Sequence, residues 1–251
     1  MLSKPLVSIV TPCFNPDKEI LSTISSVLKQ SYSNFELLIL DDASTTEKSK
    51  NFYELIYSDN RIKYIQRSWN AGAAVTRNRG IQESSGRFIA FLDADDLWHP
   101  NKLEEQIEFM LVNDLALSYI AYEVIDNKGK VLGLRTPPEM LTYNDVLKSN
   151  QIGCLTAMYD TEKLGKVFMP NIAKRQDMGL WLKILKTGVV ARGIVDKPLA
   201  RYRVGAKSLS SNKLSVLKYQ WRIYRELERL PLIKSLGYFG HYAYKGLSRK
   251  V

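Results

Sequence analysis

RFIAFLDADDLWHP, residues 87–100, is the stretch on which the reading of this chain turns. Phe88 to Leu92 is an unbroken apolar run of strand length, the pattern of a strand buried on both faces of a parallel sheet. It delivers three carboxylates, Asp93, Asp95 and Asp96, and a helix-like stretch follows. Like charges set this close repel and raise one another's pKa unless a cation or a group of donors faces them. In an open parallel sheet the carboxyl ends of the strands are also where ligands bind. Hard oxygen ligands at such an edge suit Mg²⁺ or Mn²⁺, with substrate phosphates completing the shell. Asp96 also stands where it would cap a helix opening near His99-Pro100. That explanation covers one aspartate of the three.

Upstream of this stretch, strand and helix signals alternate. Leu6 to Thr11 predicts a first strand, stopped by Pro12, and Asp17 to Gln30 carries Ile20, Ile24, Val27 and Leu28 at helical spacing. Phe35 to Leu40 predicts a second strand, a charged helix runs to about Tyr57, Ile62 to Gln66 predicts a third strand, and Ala71 to Glu83 the next helix. Such alternation with short connections implies a parallel sheet with crossover helices. Downstream the pattern loosens. Leu115 to Ile125 and Val131 to Leu134 flank a hairpin turn at Asp126–Gly129. Helices are expected at Tyr143–Ser149 and Arg175–Lys186, and strands at Leu155–Tyr159, Val189–Ile194 and Leu199–Val204. After Lys207–Ser211 come two amphipathic helices, about Lys213–Leu230 and Leu232–Leu247, parted by Pro231.

At 251 residues with 45% hydrophobic and 25% charged content, the chain is long enough to bury a full core. Its net charge of +10 is unevenly spread. Residues 213–251 hold nine Lys or Arg against Glu226 and Glu228, so the body before them is close to neutral. A basic tail of this kind seeks an acidic surface. The two cysteines, Cys13 and Cys154, lack the spacing of a disulfide framework or a zinc site, and a reducing compartment is expected. The apolar run Leu6–Val10 is too short for a signal peptide, and no run reaches the ~18 residues of a membrane span.

Four polar clusters fall at predicted strand ends: Pro12-Cys13-Phe14-Asn15, Asp41-Asp42-Ala43-Ser44, Asn70-Ala71-Gly72 with Arg77 and Asn78, and Asp93–Asp96. Strand ends of one parallel sheet share a rim, so the clusters should meet in one crevice. Together they suit a nucleoside diphosphate. Phe14 can stack on a base, Asp41 can accept from a base N–H or a ribose hydroxyl, Arg77 supplies forked donors, and a metal at Asp95 neutralises phosphate.

VSIVTPCFN (7–15), LLILDDAS (37–44), NAGAAVTRNRG (70–80), GRFIAFLDADD (86–96), RQDMGLWLKI (175–184) and RYRV with SLSSNK (201–204, 208–213) resemble, in this order and spacing, the inverting GT-A glycosyltransferases of family 2. The resemblance implies a GT-A fold, a Rossmann-like, mostly parallel sheet with flanking helices. It implies a catalytic domain over 1–212, divided into a nucleotide-binding half (1–98) and an acceptor-binding half (99–212), with basic amphipathic helices at 213–251. It also implies a donor site at Pro12, Phe14, Asp41, Asp42 and Arg77, and a DxD of Asp93 and Asp95 with Asp95 the metal ligand for Mn²⁺ or Mg²⁺. Asp177 stands where the family has its catalytic base. From the residues alone, Asp177 is equally a first-turn helix residue favoured by the dipole. Many relatives carry a histidine soon after the Tyr-Arg pair; here Val204-Gly205-Ala206 follow Tyr202-Arg203, which leaves Arg201, Arg203 or Lys207 to steady the diphosphate.

The expected activity is transfer of a sugar from a nucleotide-diphospho-sugar, UDP-linked by preference, to a hydroxyl of a glycan or lipid-linked acceptor in cell-surface polysaccharide synthesis. The expected place is the cytoplasmic face of the membrane, held peripherally by the tail, with no nucleic-acid partner. Two alternatives stand beside it. A haloacid-dehalogenase-type phosphohydrolase also has DxD after a strand, but wants Thr or Val where Leu97 stands. A basic nucleic-acid-binding protein would use the tail's Trp221, Tyr224, Tyr238, Tyr242 and Tyr244 among Lys and Arg. The apolar residues of the tail recur at helical spacing, which suits a membrane interface better, and at least one of the two helices is expected to pack back on the domain.

Overall fold

The computed structural model describes residues 4–16, 18–205 and 213–248, with side chains undescribed at 213–215 and 245–248. The apolar runs form strands β1 (Val7–Cys13), β2 (Phe35–Asp41), β3 (Ile62–Gln66) and β4 (Phe88–Phe91). Between them lie helices α1 (Glu19–Leu28), α2 (Lys50–Tyr57) and α3 (Ala73–Glu83). Asp17, the expected start of the first helix, lies outside the described residues. Next come β5 (Leu97–Trp98), α4 (Lys102–Val112), β6 (Leu117–Ile125), β7 (Val131–Arg135), β8 (Met140–Leu141), α5 (Tyr143–Lys148), β9 (Met158–Asp160), α6 (Thr161–Leu164), α7 (Gln176–Leu185) and β10 (Ala191–Arg203). The chain continues through α8 (Lys213–Arg222), a π-helical segment (Ile223–Leu227) and α9 (Leu232–Ser248).

One mixed sheet runs through the molecule in the order β3-β2-β1-β4-β9-β6-β10-β5. β1 to β4 are mutually parallel and β6 is parallel to β10, while β9 is wedged antiparallel between β4 and β6. Strand order reverses at β1, with β2 on one side and β4 on the other, which opens a crevice beyond their carboxyl ends. Apolar side chains on both faces make two cores. One lies under α1, α2 and α4, and the other under α3, α5, α7 and the π segment.

Three local expectations need correcting. Pro12 does not stop β1. Leu6 O and Val10 O accept from Phe88 N and Leu92 N of the β4 segment, so even-numbered residues of β1 face β4, and β4 has already ended at Phe91. The N–H that proline lacks would point where no strand remains, and β1 continues against β2 to Cys13. The two strands expected at 189–194 and 199–204 are one, β10, whose register against β6 shifts around Pro198. Asp96 does not cap a helix. α4 opens at Lys102 behind Asn101, and the buried Asp96 carboxylate accepts instead from Arg203 N at 2.9 Å.

α3 lies on β1 with no room to spare. A Cβ at Gly80 would stand 2.5 Å from Val10 Cγ1, so only glycine permits this approach. The tail begins as part of the core. Ile223 and Tyr224 are fully buried, and Tyr224 Oη donates to Leu147 O at 2.7 Å. Glu228 accepts from Tyr143 Oη at 2.5 Å and pairs with Lys186 at 2.9 Å. α9 packs through Ser235, Tyr238 and Phe239, but leaves Leu232, Ile233, Leu236 and Tyr244 exposed in a stripe. No described helix is long and apolar enough to cross a membrane.

Lys102 is the anomaly of the first core. It is fully buried, its Nζ has no hydrogen-bond partner and lies 3.7 Å from the Trp98 ring centroid, and burial drives its pKa well below the usual 10.5. The unfolded chain therefore binds a proton here that the folded chain does not, so this residue destabilises the fold progressively as pH falls below about 10.5. Lys102→Met, of similar shape, should raise the melting temperature. Its advantage in unfolding free energy should widen between pH 9 and pH 6, by at most about 1.4 kcal/mol per pH unit. Denaturant melts at three pH values check this; an advantage that is flat with pH means the amine is charged in the fold.

Candidate active site

The crevice beyond β1 and β4 is a cleft of about 1710 Å³, more than one small ligand fills. Its walls come from the first three rim clusters, the Asp93–Asp96 turn, the 150–155 loop, the start of α7 and one face of α8 and α9.

The turn after β4 is held from three sides. Thr23 Oγ1, on α1, is within bonding distance of Ala94 O (2.9 Å) and Asp96 O (2.8 Å). From α3, Arg77 places its buried guanidinium against Asp93 Oδ1 at 2.5 Å. Burial is the largest single influence and pulls against the Arg77 charge, but Asp93 together with Cys154 and Asp177 raises the pKa on balance. From β10, Arg203 donates through its backbone to Asp96 and through Nε to Asp95 O. The remaining charge is not cancelled. Recessed in the cleft and beside Asp93, Asp95 titrates above the usual carboxylate range although solvent touches it. Burial first, then Asp93 and Asp95, push Asp96 well above it, and Asp96 Oδ2 has no partner.

Among the described residues no three of His, Cys, Asp and Glu converge as a complete metal cage. Asp93 and Asp95, partly open to the cleft and under-neutralised, fit the other mode, in which one or two carboxylates hold a hard divalent cation and phosphate oxygens supply the rest.

On the β1–β2 side the structure divides the expected residues. Phe14 stands half exposed on the cleft wall with Pro12 beside it. Behind them Asn15, at φ 45°, donates from its backbone to Ser44 Oγ at 2.8 Å and accepts from Thr45 N at 2.8 Å and Thr46 N at 3.1 Å. Asp41 does not reach the cleft. It is fully buried and accepts from Ser44 N (2.8 Å), Tyr64 Oη (2.6 Å) and Lys48 Nζ (2.5 Å). Burial opposes its ionisation, but these donors, Lys48 foremost, hold its pKa below the usual range. Asp42 borders the cleft and accepts from Ala71 N (3.0 Å) and Gly72 N (2.8 Å), which fixes the turn that opens α3. Gly72 needs its φ of 84° there.

Asp177 occupies the first turn of α7 and faces the cleft, where Asn150 Nδ2 donates to its Oδ2 at 3.3 Å. Burial, and then Asp93 and Asp177 set against Arg77, push the Cys154 thiol well above its ordinary value, so both carboxylates border the same pocket floor. Arg203 lines the cleft, with Nη1 on the carbonyls of Asp126 and Asn127. Arg201 does not. Its Nε donates to Glu123 at 2.7 Å, beside His99 at 3.4 Å from the same carboxylate oxygen. Lys207 lies outside the described residues. Asn150 and Tyr242 carry no sequence signal for this site. Asn150 sits in an irregular loop with no motif around it, and Tyr242 reads as one of the tail aromatics although it lines the cleft.

A family model described as glycosyl transferase family 2 matches residues 8–162. The putative teichuronic acid biosynthesis glycosyltransferase TuaG of Bacillus subtilis is 43% identical over 251 residues, 99% of this chain and 98% of that protein. The Escherichia coli UDP-Glc:alpha-D-GlcNAc-diphosphoundecaprenol beta-1,3-glucosyltransferase WfgD is 42% identical over 91% of this chain and 89% of that one. Among solved structures, S. aureus TarS 1-349 in complex with UDP-GlcNAc superposes with a TM-score of 0.71 at 17% identity, covering 98% of this chain and 73% of that one. The Pyrobaculum calidifontis mannosyltransferase in complex with GDP-Man and Mn²⁺ gives 0.68 at 14%, covering 100% and 77%. Neither the phosphohydrolase nor the nucleic-acid-binding alternative finds support among these relatives. With its rim clusters on one cleft and its sheet order reversing at β1, the chain is a glycosyltransferase of GT-A fold and belongs to glycosyl transferase family 2.

Proposed function

We propose that the chain transfers a sugar, with inversion, from a UDP-sugar to a hydroxyl of a lipid-linked glycan in cell-surface polysaccharide synthesis. The observation that carries the reading is that Asp93 and Asp95 share one cleft with Asp177. Support for donor and acceptor comes from the UDP-Glc and diphosphoundecaprenol in the name of the WfgD relative, and support for the pathway from TuaG.

In this reading the base stacks on Phe14, against the loop that Asn15, Asp41 and Asp42 hold still. Asp93 and Asp95 would hold Mn²⁺ or Mg²⁺, which supplies Lewis-acid stabilisation of the departing diphosphate. Arg77 fixes Asp93, and Arg203 fixes the turn from the far side. Asp177 takes the proton of the acceptor hydroxyl as its oxygen attacks the anomeric carbon. The bond from that carbon to the diphosphate oxygen breaks on the opposite face, and the nucleoside diphosphate leaves. Asn150 keeps Asp177 aimed. The exposed stripe of α9, with Lys234 beside it, rests on the anionic cytoplasmic face of the membrane, where apolar side chains and each basic residue contribute.

Binding and chemistry separate by mutation. Asp177→Asn should keep UDP-sugar binding and lose turnover by about 10²-fold or more, whereas Asp95→Ala should lose Mn²⁺-dependent donor binding. Calorimetry with UDP-sugars and single-turnover transfer assays read the two; a variant at Asp177 that keeps most of its rate at saturating acceptor removes it as the base.

Asn150→Asp retains the oxygen that accepts from Ile152 N and sets a second carboxylate beside Asp177. The acidic limb of the kcat profile should then move up by about half to one pH unit, because a like charge favours protonated Asp177. An unmoved limb means the two side chains do not interact during turnover.

Ile233→Glu with Leu236→Glu changes only exposed positions, so the fold should hold. Flotation with phosphatidylglycerol vesicles should show the variant released, while transfer to a short soluble acceptor continues. Undiminished vesicle binding removes α9 as the contact.

A further inference from the structure

The cleft is lined by charges of both signs. Asp93, Asp95 and Asp96 line it after β4, while Lys174 and Arg175 line it just before Asp177, and Arg135 lines it from β7. Arg175 is the unusual member. It precedes α7 with φ 65°, the left-handed region that a long side chain rarely adopts, and it is only half-buried. Its guanidinium is stacked 5.2 Å from the ring centroid of Tyr242 of α9 and donates to that tyrosine's hydroxyl. Tyr242 is neutral, so it holds the charge in place without cancelling it.

We propose that Arg175, oriented by Tyr242, forms a second anion subsite that takes the diphosphate joining an acceptor sugar to its lipid. The inference rests on the lipid-linked acceptor reading and adds to it the residues that recognise the carrier. A forked guanidinium matches phosphate oxygens in a way a lone ammonium does not. Arg175 and Asp177 both line the cleft two residues apart, so their Cα atoms lie within about 7 Å of each other. A sugar whose hydroxyl meets Asp177 thus has its anomeric phosphate close to the segment that carries Arg175. The helix that carries Tyr242 also carries the exposed Leu232, Ile233 and Leu236, which form an apolar surface elsewhere on the same helix.

The test uses the full chain and farnesyl diphosphate as the probe, in EDTA so that no metal-held diphosphate forms at the donor end. Wild type should bind it, and farnesol should not. Arg175→Asn removes the charge while suiting the left-handed backbone, so the variant should fold. It should bind farnesyl diphosphate roughly tenfold or more weakly, with partial recovery in Arg175→Lys. Equal binding by Arg175→Asn overturns the proposal, as does competition by UDP in EDTA, which would put the probe in the donor site. A parallel loss of binding to phosphatidylglycerol vesicles also overturns it, because the guanidinium would then be reading membrane headgroups. The transferase reading is decided separately by a UDP-sugar turnover screen. Turnover without farnesyl diphosphate binding defeats the subsite alone, and binding without turnover defeats the transferase reading alone.

Discussion

Carboxylate crowding at the end of β4 is the constraint the rest of the structure answers. Asp93, Asp95 and Asp96 fall within four residues on a turn partly shut off from water, an arrangement that repels itself. Three elements far apart in sequence hold it. Thr23 of α1 anchors its carbonyls, Arg77 of α3 faces Asp93, and the Arg203 backbone of β10 donates to Asp96. The compensation is incomplete, and Asp96 Oδ2 is left with no partner at all. A fold that stops short of neutrality at one rim keeps a standing attraction for cations there, which is what a diphosphate-binding cleft needs.

The sheet was legible because its signals are local. Periodicity, strand length and turn residues gave β1 to β4 and the four rim clusters, and these do meet in one cleft. What the sequence lacked was direction. Asp41 and Asp42 are adjacent, yet one turns into Lys48 and Tyr64 and the other borders the cleft. Arg201 and Arg203 belong to one motif, yet one is spent on Glu123. Which way a polar side chain turns depends on partners elsewhere in the chain, and Lys48, Glu123 and Asn150 carry no mark in the sequence that pairs them with these residues.

The tail shows the same limit at larger scale. Packing of one helix on the domain is expected from its apolar spacing, but nothing in the sequence marks Gln220, Ile223 and Tyr224 as the residues that are fully buried. Basic side chains at helical spacing leave an apolar stripe intact. The π-helical segment turns that stripe toward α5 and α7, so that Tyr224 reaches Leu147 and Glu228 reaches Tyr143. α9 is thereby docked beside the cleft and supplies Tyr242 to its wall.

Gly80 lies on α3 three residues beyond Arg77, and its missing side chain lets the helix axis settle against Val10. The reach of Arg77 to Asp93 is thus gauged by a contact between a glycine and a valine, neither of which is polar. Adding one methyl group at residue 80 would lift the helix by a fraction of an ångström to an ångström, the scale on which a charged hydrogen bond is made or lost. The electrostatics of the carboxylate turn are in this sense machined by van der Waals radii. A chain of this kind can retune its most polar site by trading one small apolar side chain for another, at a position that never touches a substrate.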